Sequence, residues 1–318
     1  MISLKKILVL FGGMSFEHDI SLKSVNFIIN NIDTDYSLVG IDKDGTWYKV
    51  KNDIINENWK DNIINKIDNI IGYLKEFDII LPIIHGNGFE DGKLQSVFEQ
   101  FNIKYIGCDS YSSLISYDKI LTKLILEKYS IPQVPYYIYN KNLDFNSIDY
   151  PVIVKPAKCG SSIGISICNN KSELSKAIKL AKKYDNNILV EKFISNSREL
   201  ECAIIENKKK TIVSDVGEIL KNDWYSYDAK YKDKIETVIS NIDNSIKDDI
   251  KKYSKKIFEI LGCKNLSRVD FLYDLDNNKL YFNEINTMPG LTEISMFPKL
   301  LNSIGISNKE IVKILLNI

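Results

Sequence analysis

The chain has 318 residues, long for one hydrophobic core, so two or three domains are expected. With 42 basic against 42 acidic residues its formal net charge is zero, giving no reason to expect nucleic acid or an anionic membrane as partner. Five scattered cysteines without a CxxC argue against a disulfide framework or a zinc site, and the pattern fits free thiols in a reducing compartment. No apolar run is long enough to span a bilayer, and the short one at Ile7–Phe11 passes into Gly12-Gly13 without a cleavage site. These features together predict a soluble, cytoplasmic protein.

Ile7–Phe11 reads as a buried strand ended by Gly12-Gly13, with Ser21 placed to cap a helix to about Ile29. Strand, glycine turn and helix open a Rossmann-like unit, but no GxGxxG is present to indicate a dinucleotide. Val39–Ile41 and Ile79–Ile84 read as further strands, whereas Asn52–Asn69 has only rough helical periodicity. Loops beyond the carboxyl ends of such strands are where these sheets bind ligands, which puts Glu17 and His85 at a candidate site. A lone Glu or His in a loop is usually just a solvated side chain. Ser116–Lys119 opens a helix predicted to run to about Tyr129, with Lys119 in its first turn. A cation there is either tolerated at the surface or recruited by an anion.

Pro151–Pro156 is a strand carrying Lys155, followed by a small-residue loop, Gly160-Ser161-Ser162-Ile163-Gly164, and a second strand to Cys168. Such a loop lets backbone N–H groups approach a polyphosphate, though Gly-Ser loops are also plain turns. Asn170 and Glu173 form a capping pair for a helix to Tyr184. A strand at Ile188–Ile194 and a hairpin of Arg198–Ile205 with Thr211–Val216 follow. Gly217–Asp233 is a polar loop with four aromatic residues, either a lid over a substrate or an ordered surface loop.

Arg268–Gly290 holds the densest chemistry. Two aromatic and aliphatic runs flank the turn residues Asp274–Asn278, which predicts a β-hairpin. A turn centred on Asn277 sets Asp270 opposite Glu284 and Arg268 opposite Asn286, all four on one face. Three oxygen donors and a guanidinium there suit Mg²⁺ carried in with substrate phosphates. Leu272, Leu280 and Phe282 are expected to share that face, placing the acids beside a core. The alternative is a solvated hairpin face.

In order and spacing, GGMSFEHDIS, HGNGFEDGKLQ, SYDK, VIVKPAKCGSSIGIS, VEKFI, RELECAI, YDAKY and RVDF…FNEINTMPGLTEISMFP resemble the ATP-grasp superfamily. Within it, they resemble the D-alanine–D-alanine ligase family along essentially the whole chain. The resemblance implies an α/β protein with an N-terminal Rossmann-like domain (1–112) and a two-part ATP-grasp fold. Its central subdomain would span 113–195, and its C-terminal subdomain 196–318 would carry the metal site and a lid at 217–233.

It further implies ATP-dependent ligation of two D-alanines through a D-alanyl phosphate for peptidoglycan precursor synthesis, in a homodimer. Asp270, Glu284 and Asn286 would hold two Mg²⁺ ions (or Mn²⁺). Lys119, Lys155 and Lys230 would bind ATP phosphates, with Asn283 and Glu284 beside them. Glu191, Lys192, Phe193 and Ile194 would meet the adenine and Glu199 the ribose. Arg268 and Gly290 would face the reacting oxyanion, and Glu17 and His85 the first D-alanine. Ser161 and Tyr231 would link Glu17 to the lid, and Ser295 and Met296 would line the second substrate's subsite. Lys230-Tyr231 and Met296 favour D-alanine there over D-serine or D-lactate. One departure stands out: Phe89 occupies a position that is glycine in the family's HGxxGEDG pattern, and Phe does not easily take positive φ.

Overall fold

A computed structural model describes residues 5–208, 210–220 and 236–317 of the chain. Three sheets organise it. The first is built on β1 (Ile7–Gly12), whose six residues are all buried, as expected of a strand covered on both faces. It pairs in parallel with β2 (Tyr36–Ile41) and β5 (Ile79–Ile83). Two strands that the sequence reading did not find, β3 (Trp47–Val50) and β4 (Ile63–Lys66), extend this sheet in antiparallel fashion. The Asn52–Asn69 stretch therefore supplies a strand and a short helical turn at Trp59–Asn62, not a helix. Its periodicity was blurred because β4 is a mostly exposed edge strand.

The helix α1 (His18–Asn31) starts earlier than expected, and Ser21 lies inside it. Ser21 does not cap the helix. Its Oγ accepts from Gly12 N and donates to Ile83 O, fastening α1 to two strands of the sheet.

The second sheet is an antiparallel set of four strands. β7 (Val152–Pro156) lies between β8 (Ser166–Cys168) and β9 (Ile188–Lys192), with β6 (Tyr136–Ile138) at the edge. The expected capping pair is present: Asn170 Oδ1 accepts from Glu173 N at 3.1 Å, and Glu173 accepts from Asn169 N at 2.8 Å. The helix it starts, Lys171–Ala181, buries Leu174, Ala177 and Ile178 against this sheet.

The third sheet, also antiparallel, runs β12 (Glu236–Ile239), β11 (Lys210–Leu220), β10 (Ser197–Asn207), β13 (Leu266–Asp274) and β14 (Lys279–Asn286). One face is covered by the helix Asn244–Ile260 through Ile250, Ile257 and Phe258. The other receives the last helices, Met296–Ser303 and Asn308–Leu316. These share one continuous core with α1 and the first sheet, so that Phe297 and Leu316 belong to the same cluster as Leu8 and Phe27. The two ends of the chain are thereby locked together by apolar burial.

Candidate active site

The hairpin β13–β14 has the expected register at its open end, with Arg268 opposite Asn286 and Asp270 opposite Glu284. Beyond that pair the ladder shifts by one residue, and Phe271 faces Phe282. Asn283 is the extra residue of a β-bulge. A one-residue shift inverts every later side chain, which corrects part of the sequence expectation. Phe282 and Leu280 lie on the far face, where Phe282 packs edge-on against Phe271, and only Leu272 remains beside the acids. The bulge also brings Asn283 round to the site, where its Oδ1 accepts from Lys155 Nζ at 3.2 Å.

Arg268 grips Asp270 with two parallel bonds of 2.7 Å, and Asn286 Nδ2 donates to the same carboxylate at 3.0 Å. Arg268 Nε also lies 3.0 Å from Glu201 Oε2. Burial disfavours the guanidinium charge, but the neighbouring Asp270 and Glu201 outweigh it and hold its pKa well above the usual value. Glu201 was missed in the sequence; its signal was its place two residues after Glu199 on the same strand face.

Among the described residues, no group of three or more His, Cys, Asp and Glu side chains is arranged to hold a metal. The hairpin offers two carboxylates and one amide instead. That incomplete hard-oxygen set suits a divalent cation whose remaining ligands come from phosphate and water. Arg268 and Asn286 occupy part of the acceptor capacity of Asp270, and a carboxylate has about four lone-pair sites, so capacity for a cation remains.

Across the cleft stand the lysines. The helix expected at Ser116–Tyr129 is in fact two, Ser110–Tyr117 and Lys119–Lys128, broken at Asp118, which caps the second by accepting from Ile120 N and Leu121 N. The break aims Lys119 into the cleft. Its Nζ donates to Cys159 O at 2.8 Å and lies 3.5 Å from Glu284 Oε2. Lys155, at the end of β7, lies 2.6 Å from Glu191 Oε2, and Lys123 lies 2.6 Å from Glu191 Oε1. Burial pushes the Glu191 pKa up, but the two ammonium groups overcome it and hold the carboxyl at about 2.

Glu191, Lys192, Phe193, Ile194, Glu199, Asn283 and Glu284 line one cleft between the second and third sheets, together with Lys119 and Lys155. The Lys192 and Phe193 N–H groups donate to Pro135 O and Pro151 O. Lys123 sits behind the cleft wall and was not singled out in the sequence, although its spacing of four from Lys119 puts both on one helix face.

A second cavity of about 900 Å³ adjoins this cleft and is lined by Glu17, His85, Ser161, Arg268, Gly290, Ser295 and Met296. Ser161 Oγ donates to Glu17 Oε1 at 2.5 Å. The loop that carries Ser161 turns sharply, with positive φ at Ser161, Ser162 and Gly164. His85 is fully enclosed, its ring nitrogens paired with Met288 O at 3.0 Å and Ser24 Oγ at 2.9 Å, and burial lowers its pKa. Its ring is thus held on both sides where it lines the cavity. Glu90, a further residue the sequence reading left without a role, lines this cavity, accepts from Gly86 N at 2.8 Å, and is raised to about 8 by burial and by Glu17.

Phe89 does not disturb this loop. The positive φ values fall on Gly86, Gly88 and Gly92, and the Phe89 ring is buried against Gly107. Gly88 takes the left-handed turn that Phe could not. Ser295 precedes the helix Met296–Ser303, and its Oγ accepts from Thr292 N at 3.1 Å. Lys230, Tyr231 and most of the candidate lid at 217–233 lie outside the described residues; Gly217–Leu220 end β11.

A parallel-cored N-terminal sheet joined to two antiparallel sheets that clasp a lysine- and carboxylate-lined cleft is the ATP-grasp arrangement. Residues 6–108 match the family model described as D-ala D-ala ligase N-terminus, and residues 125–317 that of the D-ala D-ala ligase C-terminus. The chain is 36% identical to a D-alanine–D-alanine ligase of Acetivibrio thermocellus, over 99% of this chain and 95% of that protein. It is 38% identical to D-alanine–D-alanine ligase B of Clostridium tetani, over 96% and 91%.

Among solved structures, the VanG D-Ala:D-Ser ligase of Enterococcus faecalis superposes with a TM-score of 0.86 at 29% identity, covering 99% of both chains. The D-alanine–D-alanine ligase of Coxiella burnetii gives 0.83 at 28% identity, covering 99% of this chain and 93% of that one. The chain belongs to the D-alanine–D-alanine ligase family.

Proposed function

We propose that this protein joins two D-alanines at the expense of ATP, through a D-alanyl phosphate, to give the dipeptide used in peptidoglycan precursors. The observation that supports it most is the junction of the two cavities. Lys119 and Glu284 line both the lysine-lined cleft and the chamber holding Glu17, with Arg268 on the chamber side, so phosphate transfer and amide formation would share one place.

A carboxylate is a poor electrophile, and phosphorylation gives it a good leaving group; the chain's task is then positioning and charge neutralisation. Glu17, steadied by Ser161, would hold the ammonium of the first D-alanine. Lys119 and Lys155 would bind the ATP phosphates, joined by Lys230 from the lid. Glu191, with the chain from Lys192 to Ile194, would meet the adenine, and Glu199 the ribose. Arg268, fixed by Asp270 and Glu201 and permanently charged, would stabilise the tetrahedral oxyanion together with backbone near Gly290. Asp270, Glu284 and Asn286 would hold two Mg²⁺ ions, which supply neutralisation of the phosphate oxygens when bound. Ser295 and Met296 would border the second amino acid, and Tyr231 would tie the lid to Ser161. The three-part division at 1–112, 113–195 and 196–318, cytoplasmic location and a homodimer belong to the same reading.

Its likeness to the VanG structure makes D-serine the rival second substrate. The apolar Met296, buried at the chamber wall, supports D-alanine. An ADP-release assay with D-alanine and each candidate acceptor at neutral pH decides: D-alanine should give the highest kcat/KM. Equal or faster turnover with D-serine or D-lactate overturns the assignment.

A further inference from the structure

Lys123 is almost completely enclosed, yet it belongs to the same helix face as Lys119 and lies one turn further on. Its ammonium is 2.6 Å from one oxygen of Glu191, and the aromatic ring of Tyr136 covers it at 5.1 Å. Tyr136 is in turn the ladder partner of Glu191 across β6 and β9. Lys123 does not border the nucleotide cleft, whereas Glu191 and Lys155 both do. With Lys155 2.6 Å from the second oxygen, the carboxylate of Glu191 is held between two cations, one in the cleft and one behind its wall.

Glu191 has a single flexible side chain and, held by Lys155 alone, would be free to follow that lysine toward the phosphates. A contact from behind removes that freedom. A charged pair this deep is costly to form and is retained most readily where it fixes a geometry.

We propose that Lys123 is a positioning residue for nucleobase selection: through its buried contact it fixes the Glu191 carboxylate at the base edge, where an amino group is accepted and an oxo group is repelled. This rests on the ligase reading above and adds to it a determinant of purine choice. The substrate class selected is a 6-aminopurine nucleoside triphosphate.

Kinetics with ATP and with inosine triphosphate, which carries an oxo group where adenine has an amine, test this in Lys123→Met, Glu191→Gln and the double variant. Wild type should prefer ATP. Lys123→Met should raise KM for ATP by about tenfold with kcat at saturation nearly kept, and should shrink the ATP preference by a similar factor. On a Glu191→Gln background the Lys123→Met change should leave the ATP preference the same within about twofold.

An unchanged ATP preference in Lys123→Met, or a further loss of preference in the double variant relative to Glu191→Gln, overturns the proposal. If Lys123→Met does not fold, the comparison of the double variant with Glu191→Gln carries the decision alone. A wild-type protein that consumes no ATP with D-alanine would instead defeat the ligase reading, which separates the two failures.

Discussion

Ser161 Oγ and Glu17 Oε1 meet at 2.5 Å, joining residues 144 apart in sequence and belonging to the loops of two different sheets. Glycines make room for the carboxylate: a Cβ on Gly86 would stand 2.6 Å from Glu17 Oε2, and one on Gly160 3.0 Å from it. Ser161→Ala removes a hydrogen bond to a charged group, worth about 1.5–3 kcal/mol. We expect KM for the first D-alanine to rise by at least about tenfold, with KM for ATP little changed. Gly86→Ala should do the same by displacing Glu17, with added strain because Gly86 has φ +72°. Initial-rate kinetics with each substrate varied in turn check both.

Glu284→Ala is expected to abolish turnover almost completely. Glu284 is one of only two carboxylates in the hairpin's oxygen set and faces Lys119 at 3.5 Å. Calorimetric titration with the magnesium–ATP complex should show weakened binding, while the melting temperature stays close to wild type because the side chain is not in the core. Retained activity would remove the hairpin from the mechanism.

Phe89→Ala should cost about 3–5 kcal/mol of stability, read from the midpoint of urea unfolding, since it empties a fully buried ring site against Gly107. Placing the family's glycine at this position should be at least as destabilising. The turn already has its left-handed glycine at Gly88, so glycine at 89 leaves a void without relieving strain.

Stability against pH should carry the mark of Glu90 and His85. Glu90 is raised from 4.5 to about 8, so between those values the unfolded chain releases a proton that the folded chain keeps, and stability falls as pH rises through this window. His85 is lowered from 6.5, so below about that value the unfolded chain takes up a proton that the folded chain refuses, and stability falls as pH drops. Between pH 4.5 and 6.5 the two slopes oppose each other, so Glu90→Gln should flatten the decline above about 6.5 and expose a steeper loss below it. Urea midpoints from pH 5 to 9 measure this. An unchanged alkaline slope in the variant rules out Glu90 as its source.

Local patterns made much of this legible. The capping pair Asn170–Glu173, the all-apolar β1 and the pairing of Asp270 with Glu284 follow from periodicity and turn chemistry, and all are present. What escaped was non-local. The bulge at Asn283 depends on how β14 meets its neighbours, and nothing in the alternation of LYFNEIN announces it. Ser21 has the chemistry of a cap, but the nearness of Gly12 N and Ile83 O, set by the sheet, gave it another use. The exposed edge strand β4 carries too little apolar burial to write a period into its sequence. Lys123 and Glu201 were hidden for the opposite reason: their spacing was visible, but a buried charge is recognised only once its partner is known.

The stiffness of the helix that begins at Lys119 has one more consequence. Four residues of helix rise about 6 Å, so the anchor beside Glu284 and the anchor beside Glu191 are held at a set separation by a single rod. The cleft therefore gauges its guest by length as well as by charge. A molecule with the right base but a shortened phosphate tail meets Glu191, which Lys123 holds from behind, and falls short of Lys119.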